Sequence, residues 1–489
     1  MVFIVVIPDV ISPYRHLRNS PKYFIIKQKG RLFMALKLAR HGTTRDMTSG
    51  SIIRQIILFA LPLMLGNIFQ MMYNTVDSIV VGNFVGKEAL AAVGSTTMIV
   101  NMLVFFFNGF SVGAGVVIAQ HFGARDMERL HSAVETTVAV TFVMCVLFTL
   151  IGVAGVRPML RLMSTPDDVF EDAVDYLTIY FWGFSGLLIY NTGSGILRAV
   201  GDTTRPLMFL ALTSILNIVL DLVFVIGLKA GIAGVAYATI LSQLISAVLV
   251  LRLLTNTKDI YRLTWRDLRI EWPVLRRILA VGLPAGIQSV ITAFSNVFVQ
   301  SYVNHFGSSC MAGWSCYNKL DQFIMLPMQS TAMAATTFVS QNIGAKQYER
   351  ADRGTWTTIL LSLGITLAVA VVLVIFAEPA VRLFSQDPSV IGFGVLFMRS
   401  NTFFLLFNCV NHTLAGALRG RGDSRAPMFI MLLSFVLIRQ IYLFVVTRFV
   451  ANTPFLVGFG YPVGWMCCCA IEVTYYFVRW GRRARQQSA

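Results

Sequence analysis

Apolar positions in this chain come in long unbroken stretches, not in the alternation of a half-buried strand or the one-sided stripe of a surface helix. Ile56 to Val81, Ser132 to Val156 and Thr357 to Ala377 each run for about 20 residues or more with few charges, enough to cross ~30 Å of hydrocarbon as a helix. About twelve such stretches succeed one another, which predicts an all-α polytopic membrane protein, because a helix satisfies its own backbone in lipid.

Polar motifs between the stretches repeat. Gln120, Gly123, Ala124, Glu128 and Arg129 recur as Gln341, Gly344, Ala345, Glu349 and Arg350, each 221 positions on. The same displacement carries Leu197, Arg198, Gly201, Asp202, Thr203 and Pro206 onto Leu418, Arg419, Gly422, Asp423, Ser424 and Pro427, while Leu61, Pro62 and Asn74 return at 222 as Leu283, Pro284 and Asn296. Three spaced motifs at nearly one displacement indicate an internal duplication. Six spans per half is an even number, so both halves enter and leave on one side. A pseudo-two-fold axis along the membrane normal then relates two six-helix bundles.

The organisation expected is a basic extension over 1–50, a first bundle over 51–254, a linker over 255–277, a second bundle over 278–479 and a basic tail over 480–489. Trp265 and Trp272, set among Arg262, Arg266 and Arg269, suit a linker lying along the membrane surface. In the repeated loops Gly201 and Gly422 permit tight turns, and Pro206 and Pro427 suit a first helical turn. Asp202 and Asp423 are placed to cap the next helix and to meet Arg198 or Arg419.

Composition agrees with the pattern. The 489 residues are 56% apolar and 13% charged, with mean hydropathy +0.68, whereas a soluble globule carries roughly 25% charged residues. A formal charge of +16 would suit nucleic acid, but the basic residues are sorted by side. Of 40 Lys and Arg, 31 fall on alternate connections with both termini and five on the opposite face (Lys87, Arg157, Arg161, Lys229, Arg382). That asymmetry predicts cytoplasmic termini and no nucleic-acid partner. Val2 to Ile7 is too short to span and lacks the preceding positive charge of a signal peptide. The seven cysteines show no metal-type spacing and read as lipid-compatible fillers.

Ionisable groups at mid-membrane are expensive, so those present mark ion or substrate paths. Asp77 lies in the first span. Asn217 and Asp221 lie in the fifth, four apart and so on one helical face, and Thr239 and Gln243 repeat that spacing in the sixth. Asp77, Asn217, Asp221 and Thr239 offer oxygen ligands for a hard cation such as Na⁺, and the two carboxylates could equally share a proton. The second half supplies Gln288 and Asn296, then Asn318, Lys319 and Asp321, then Arg439. Lys319 and Asp321 read as an interfacial pair. Arg439 reads as a charge satisfied by backbone carbonyls or Asp321, or as a substrate contact. Tyr73 and Asn74 join Gln243, Gln288, Asn296, Asp321 and Arg439 as cavity candidates, with Phe69 and Phe294 as apolar lining.

The acids are not duplicated: the same displacements turn Asp77 into Val299, Asn217 into Ile438 and Asp221 into Tyr442. Ion chemistry is therefore expected in the first half alone. Gly183-Phe184-Ser185-Gly186, with His305 and His412, matches the GxSG of intramembrane proteases, but its small-xx-small character is also that of close helix packing. No nucleotide-binding loop appears, so neither an ATPase subunit nor a cofactor beyond H⁺ or Na⁺ is expected.

Over residues 50 to 480 the chain resembles the multidrug and toxic compound extrusion (MATE) transporters. The likeness rests on Leu61-Pro62, Asn74-Thr75-Val76-Asp77, Gln120 to Arg129, Leu197-Arg198 with Gly201-Asp202 and Pro206, Asn217/Asp221 and Ala238-Thr239. It implies twelve helices in two bundles around a central cavity, in a monomer of the bacterial inner membrane. It also implies that H⁺ or Na⁺ influx drives small organic cations outward, and that Asp77, Asn217, Asp221 and Thr239 form the cation site. Some members carry acids in helices seven and ten; here none occurs between Glu271 and Asp321 or between Asp387 and Asp423. A lipid-linked glycan flippase of the same superfamily is the competing expectation, and it would want several cationic residues in the cavity.

Overall fold

A computed structural model describes residues 44–163 and 165–481. The extension expected over 1–50 lies outside them up to residue 43, and the tail over 480–489 from residue 482. The apolar stretches form helices throughout, and no strand occurs among the described residues. In chain order the long helices are α1 (Ile52–Val85), α2 (Lys87–Gly123), α3 (Met127–Leu162), α4 (Asp167–Ala199), α5 (Thr204–Gly227), α6 (Gly231–Asn256), α7 (Trp272–Asn304), α8 (Ser308–Gly344), α9 (Tyr348–Ile375), α10 (Pro388–Gly420), α11 (Arg425–Val450) and α12 (Pro454–Trp480). Ten of these are apolar enough to cross a membrane by composition alone. The other two are α4, whose first turns carry Asp167, Glu171, Asp172 and Asp175, and α8, which carries Lys319 and Asp321. The protein is a multi-pass membrane protein with twelve long helices among the described residues.

The duplication is visible in backbone angles. Gly201 and Gly422 both turn at φ +85°, and Arg125 and Lys346, 221 apart, are left-handed at 55° and 58°. A left-handed turn at Gly201 leaves no room for a side chain, since a Cβ there would meet the backbone of Arg45. Asp202 caps α5 as expected, accepting from the Thr204 and Arg205 amides at 3.1 Å. Its ionic partner is Arg205 at 3.4 Å, not Arg198. In the second half Asp423 accepts from the Ala426 amide at 3.3 Å and lies 3.6 Å from Arg479, not against Arg419. Side chains on a helix lean toward its N-terminus, so Arg198 and Arg419 point back into their own helices and away from the loops that follow.

Arg205 also donates to the Tyr261 hydroxyl at 2.8 Å, a phenol that burial pushes up to about 12, and so ties the linker to the loop. Asp202 is fully buried and Arg205 is 3% exposed. Arg205→Ala strands a buried carboxylate, which costs about 3 to 5 kcal/mol; thermal unfolding in detergent should show a drop of about 5 °C or more.

The two bundles meet along a seam of small residues near the end that holds residues 44 and 481. A Cβ on Gly113 would strike the Ile278 carbonyl and the Gly282 backbone, and one on Gly109 the backbone of Gly286, so α2 and α7 touch main chain to main chain. At the repeated loop motif the contact is reciprocal. A Cβ on Gly123 would run into the Gln341 carbonyl and one on Gly344 into the Gln120 carbonyl. Gln120 donates across the seam to the Gly420 carbonyl at 3.1 Å and Gln341 to the Ala199 carbonyl at 2.9 Å; those two acceptors are again 221 apart.

Residues 45–50 bind both halves. Arg45 donates to the Val200 carbonyl at 3.2 Å, and the fully buried Met47 takes Gln341 Oε1 on its amide at 2.9 Å. Arg350 holds the Ser49 and Gly50 carbonyls at 2.9 Å. Burial alone would push the Asp46 carboxyl up, but hydrogen bonds from Thr48 and the Arg125 charge hold it below its ordinary value. Its contribution is therefore complete above the unfolded aspartate value and is lost only as pH falls below it.

The GxSG stretch has a packing duty. A Cβ on Gly183 would meet the Ile240 side chain and one on Gly186 the Gln243–Leu244 backbone, so these glycines let α4 lie against α6.

Candidate functional site

Four helices of the first bundle converge on a group of buried polar atoms in the half of the membrane away from the seam. Asp77 lies near the far end of α1. Asp221 lies near the far end of α5, where the helix loosens to π-type bonding over Leu222–Gly227, a distortion frequent at functional sites. The Asp77 and Asp221 carboxyl groups reach each other at hydrogen-bonding range. Yet Asp77 Oδ1 and both Asp221 oxygens are buried with no donor among the described residues. Two facing carboxylates have only acceptors, so a proton or a cation is what the pair lacks chemically.

Register places the rest. Ser246 of α6 donates to Thr213 of α5 at 2.8 Å, and the helices run antiparallel, so a turn further along α5 brings Asn217 level with Gln243, and another brings Asp221 level with Thr239. Both Asn217 side-chain atoms, Thr239 Oγ1 and Gln243 Oε1 are buried and unpartnered. No hydrogen bond joins Thr239 to the acids, and Asn74 stands exposed on α1 without a bond to them. Tyr73, with Tyr176 of α4, closes around the acids. The Tyr180 ring stacks on that of Tyr176 at 6.3 Å. Tyr176 and Tyr180 were not foreseen. Their i, i+4 spacing in an apolar helix was the available signal, masked by the acids that open α4.

The donor set is two carboxylates, two amides and hydroxyls. No three His, Cys, Asp or Glu side chains come together among the described residues. Such hard oxygens suit H⁺ or Na⁺ better than a transition metal.

The second bundle is arranged differently. Arg439, 2% exposed, donates to Ser295 Oγ at 2.5 Å and to Asn296 Oδ1 at 3.1 Å, and lies 4.7 Å over the Tyr461 ring. These side chains replace the expected backbone carbonyls or Asp321, because α7 turns Ser295 and Asn296 onto the face that meets α11. The Lys319–Asp321 pair does not form: Lys319 lies 5.4 Å over the Phe384 ring. Asp321 Oδ1 is buried and unpartnered, facing Tyr317 and Tyr461. Gln288 donates to the Met431 sulfur and leaves its Oε1 unpartnered. Glu472 of α12 also escaped the sequence reading, although it is the only acid in that span.

The MatE family profile matches this chain twice, over residues 62–223 and 284–445. The chain belongs to the MATE family. The two matches are 222 residues apart, the displacement of the α1 and α7 motifs, and each MATE repeat ends within the helix that carries Asp221 or Arg439. The "Probable multidrug resistance protein YpnP" of Bacillus subtilis (strain 168) is 30% identical over 439 residues, 89% of this chain and 97% of the relative. A Shewanella oneidensis protein named "FAD transporter" is 24% identical over 359 residues, 72% of this chain and 78% of that one. A structure titled as the outward-facing conformation of a multidrug resistance MATE family transporter superposes with TM-score 0.86 at 24% identity, over 91% of this chain and all of that one. That last likeness shows the MATE fold of twelve helices in two bundles.

Proposed function

We propose that this chain is an antiporter that exports small, mostly cationic and amphiphilic compounds in exchange for H⁺ or Na⁺. It works as a monomer in the bacterial inner membrane, with cytoplasmic termini and without an ATPase subunit. The observation that carries this reading is the Asp77–Asp221 pair, whose buried oxygens have no donor of their own. Ion binding there favours one packing of the bundles and substrate the other, which is alternating access. With the termini inside, the glycine seam seals the cytoplasmic side while the acids lie in the outer half, so the arrangement described is the outward-facing one. The relatives named for multidrug resistance support the substrate class.

A lipid-linked glycan or other anionic substrate is the second reading, favoured by Arg439 and by the relative named for FAD. Against it, Arg439 already spends donors on Ser295 and Asn296.

The test is efflux of a cationic dye from proteoliposomes under an imposed proton gradient and, separately, an imposed Na⁺ gradient. One gradient should drive efflux and the other should not. Efflux driven by neither would end the antiport reading, and competition by FAD but not by organic cations would favour the second.

A further inference from the structure

Glu472 belongs neither to the acid pair nor to the seam. It has no exposed surface, and neither of its oxygens has a hydrogen-bond partner among the described residues. The charge acting on it is the Arg419 guanidinium, which comes from the last turn of α10 and donates through Nε to the Ala415 carbonyl at 3.1 Å. On its own helix Cys468 and Cys469 face it. From α11, the buried Ser434 hydroxyl has no partner among the described residues, and Arg439 is turned away toward α7. On α10, His412 senses Arg419. One turn beyond Glu472, the Tyr476 hydroxyl donates to Asp352 of α9 at 2.7 Å and accepts from Arg421 at 2.9 Å.

This acid is not duplicated. Arg419 is the counterpart of Arg198, but α6, the counterpart of α12, carries no acid. A lone carboxylate withdrawn from water costs several kcal/mol unless a proton or a counter-ion neutralises it. Glu472 has access to both: it stands close enough to Arg419 to feel its charge, without being bonded to it.

We propose that Glu472 is a second proton-binding site, housed in the second bundle, that alternates between a neutral acid and a carboxylate balanced by Arg419. On release the carboxyl O–H bond breaks, the oxygen keeps the electron pair, and the proton passes to water at the terminus-bearing face past Tyr476 and Asp352. The site goes beyond the Asp77–Asp221 reading and does not depend on it.

Infrared difference spectroscopy of the full chain in lipid, stepped over roughly pH 5 to 9, tests this with ¹³C-glutamate labelling. The label moves the C=O band of a protonated glutamic acid and leaves those of Asp77 and Asp221 in place. A glutamic acid band that titrates in the wild type, vanishes in Glu472→Gln and loses its proton only at higher pH in Arg419→Gln is the expected result. If no glutamic acid band titrates in the labelled wild type, or if the band survives Glu472→Gln unchanged, the proposal is overturned. Should Glu472→Gln not fold, an unmoved midpoint in Arg419→Gln overturns it equally. An aspartic acid band that fails to titrate counts against the antiport site alone.

Discussion

Asp77→Asn is expected to abolish ion-driven dye efflux while the protein still folds and inserts. An amide keeps the shape of the carboxyl and part of its hydrogen bonding, but it can neither carry an exchangeable proton nor lend a full charge to a cation. Losing about 3 kcal/mol of charge interaction in a desolvated site corresponds to roughly a hundredfold or greater loss of rate. Asp221→Asn should do the same, since the two groups face each other at hydrogen-bonding range. Because they act as one unit, the double variant should be little worse than either single one. Efflux rates from proteoliposomes, normalised to folded protein by size-exclusion profile, decide the matter. Undiminished efflux in Asp77→Asn would sink the assignment, and additive losses would show two independent sites.

The second large effect is expected at the seam. Gly113→Ala places a methyl against the Ile278 carbonyl and the Gly282 backbone, and Gly123→Ala places one against the Gln341 carbonyl. Neither obstacle is a flexible side chain that can rotate away, so the bundles must separate. Overpacking of this kind costs about 1 to 3 kcal/mol, which shifts the closed population by roughly 5- to 150-fold. Spin labels placed on the two bundles beside the repeated loops should report a longer distance, with transport falling in proportion. Gly364→Ala is the control, because a Cβ there meets nothing within 4 Å. If Gly113→Ala keeps the wild-type distance, the seam is not the barrier that holds that side shut.

Much of this was legible in the residues alone. Span count, the two halves and the loop caps follow from stretch length, displacement and turn chemistry, each a local property. The acids of α1 and α5 were legible too, because a carboxylate in an apolar run is conspicuous. What escaped depends on which side chains meet across helices. Arg198 and Asp202 are four apart and look like partners, yet the loop turns Asp202 toward Arg205. Lys319 and Asp321 are two apart, so a helix sends them to different faces. Tyr176 and Tyr180 acquire meaning only once α4 is seen against α1 and α6. Glu472 lay in the most cysteine-rich run of the chain, where the acid drew less notice than the thiols.

The reciprocity at the seam has an ancestral and a mechanical consequence. Gln120 reaching Gly420 while Gln341 reaches Ala199 is the form of an isologous contact, in which each partner presents the same patch to the other. A half-length ancestor with this surface would have paired with its own copy. Joined by a linker, the two copies hold each other at a high effective concentration however dilute the protein is in the membrane. The seam can therefore break completely in each cycle and never lose its partner.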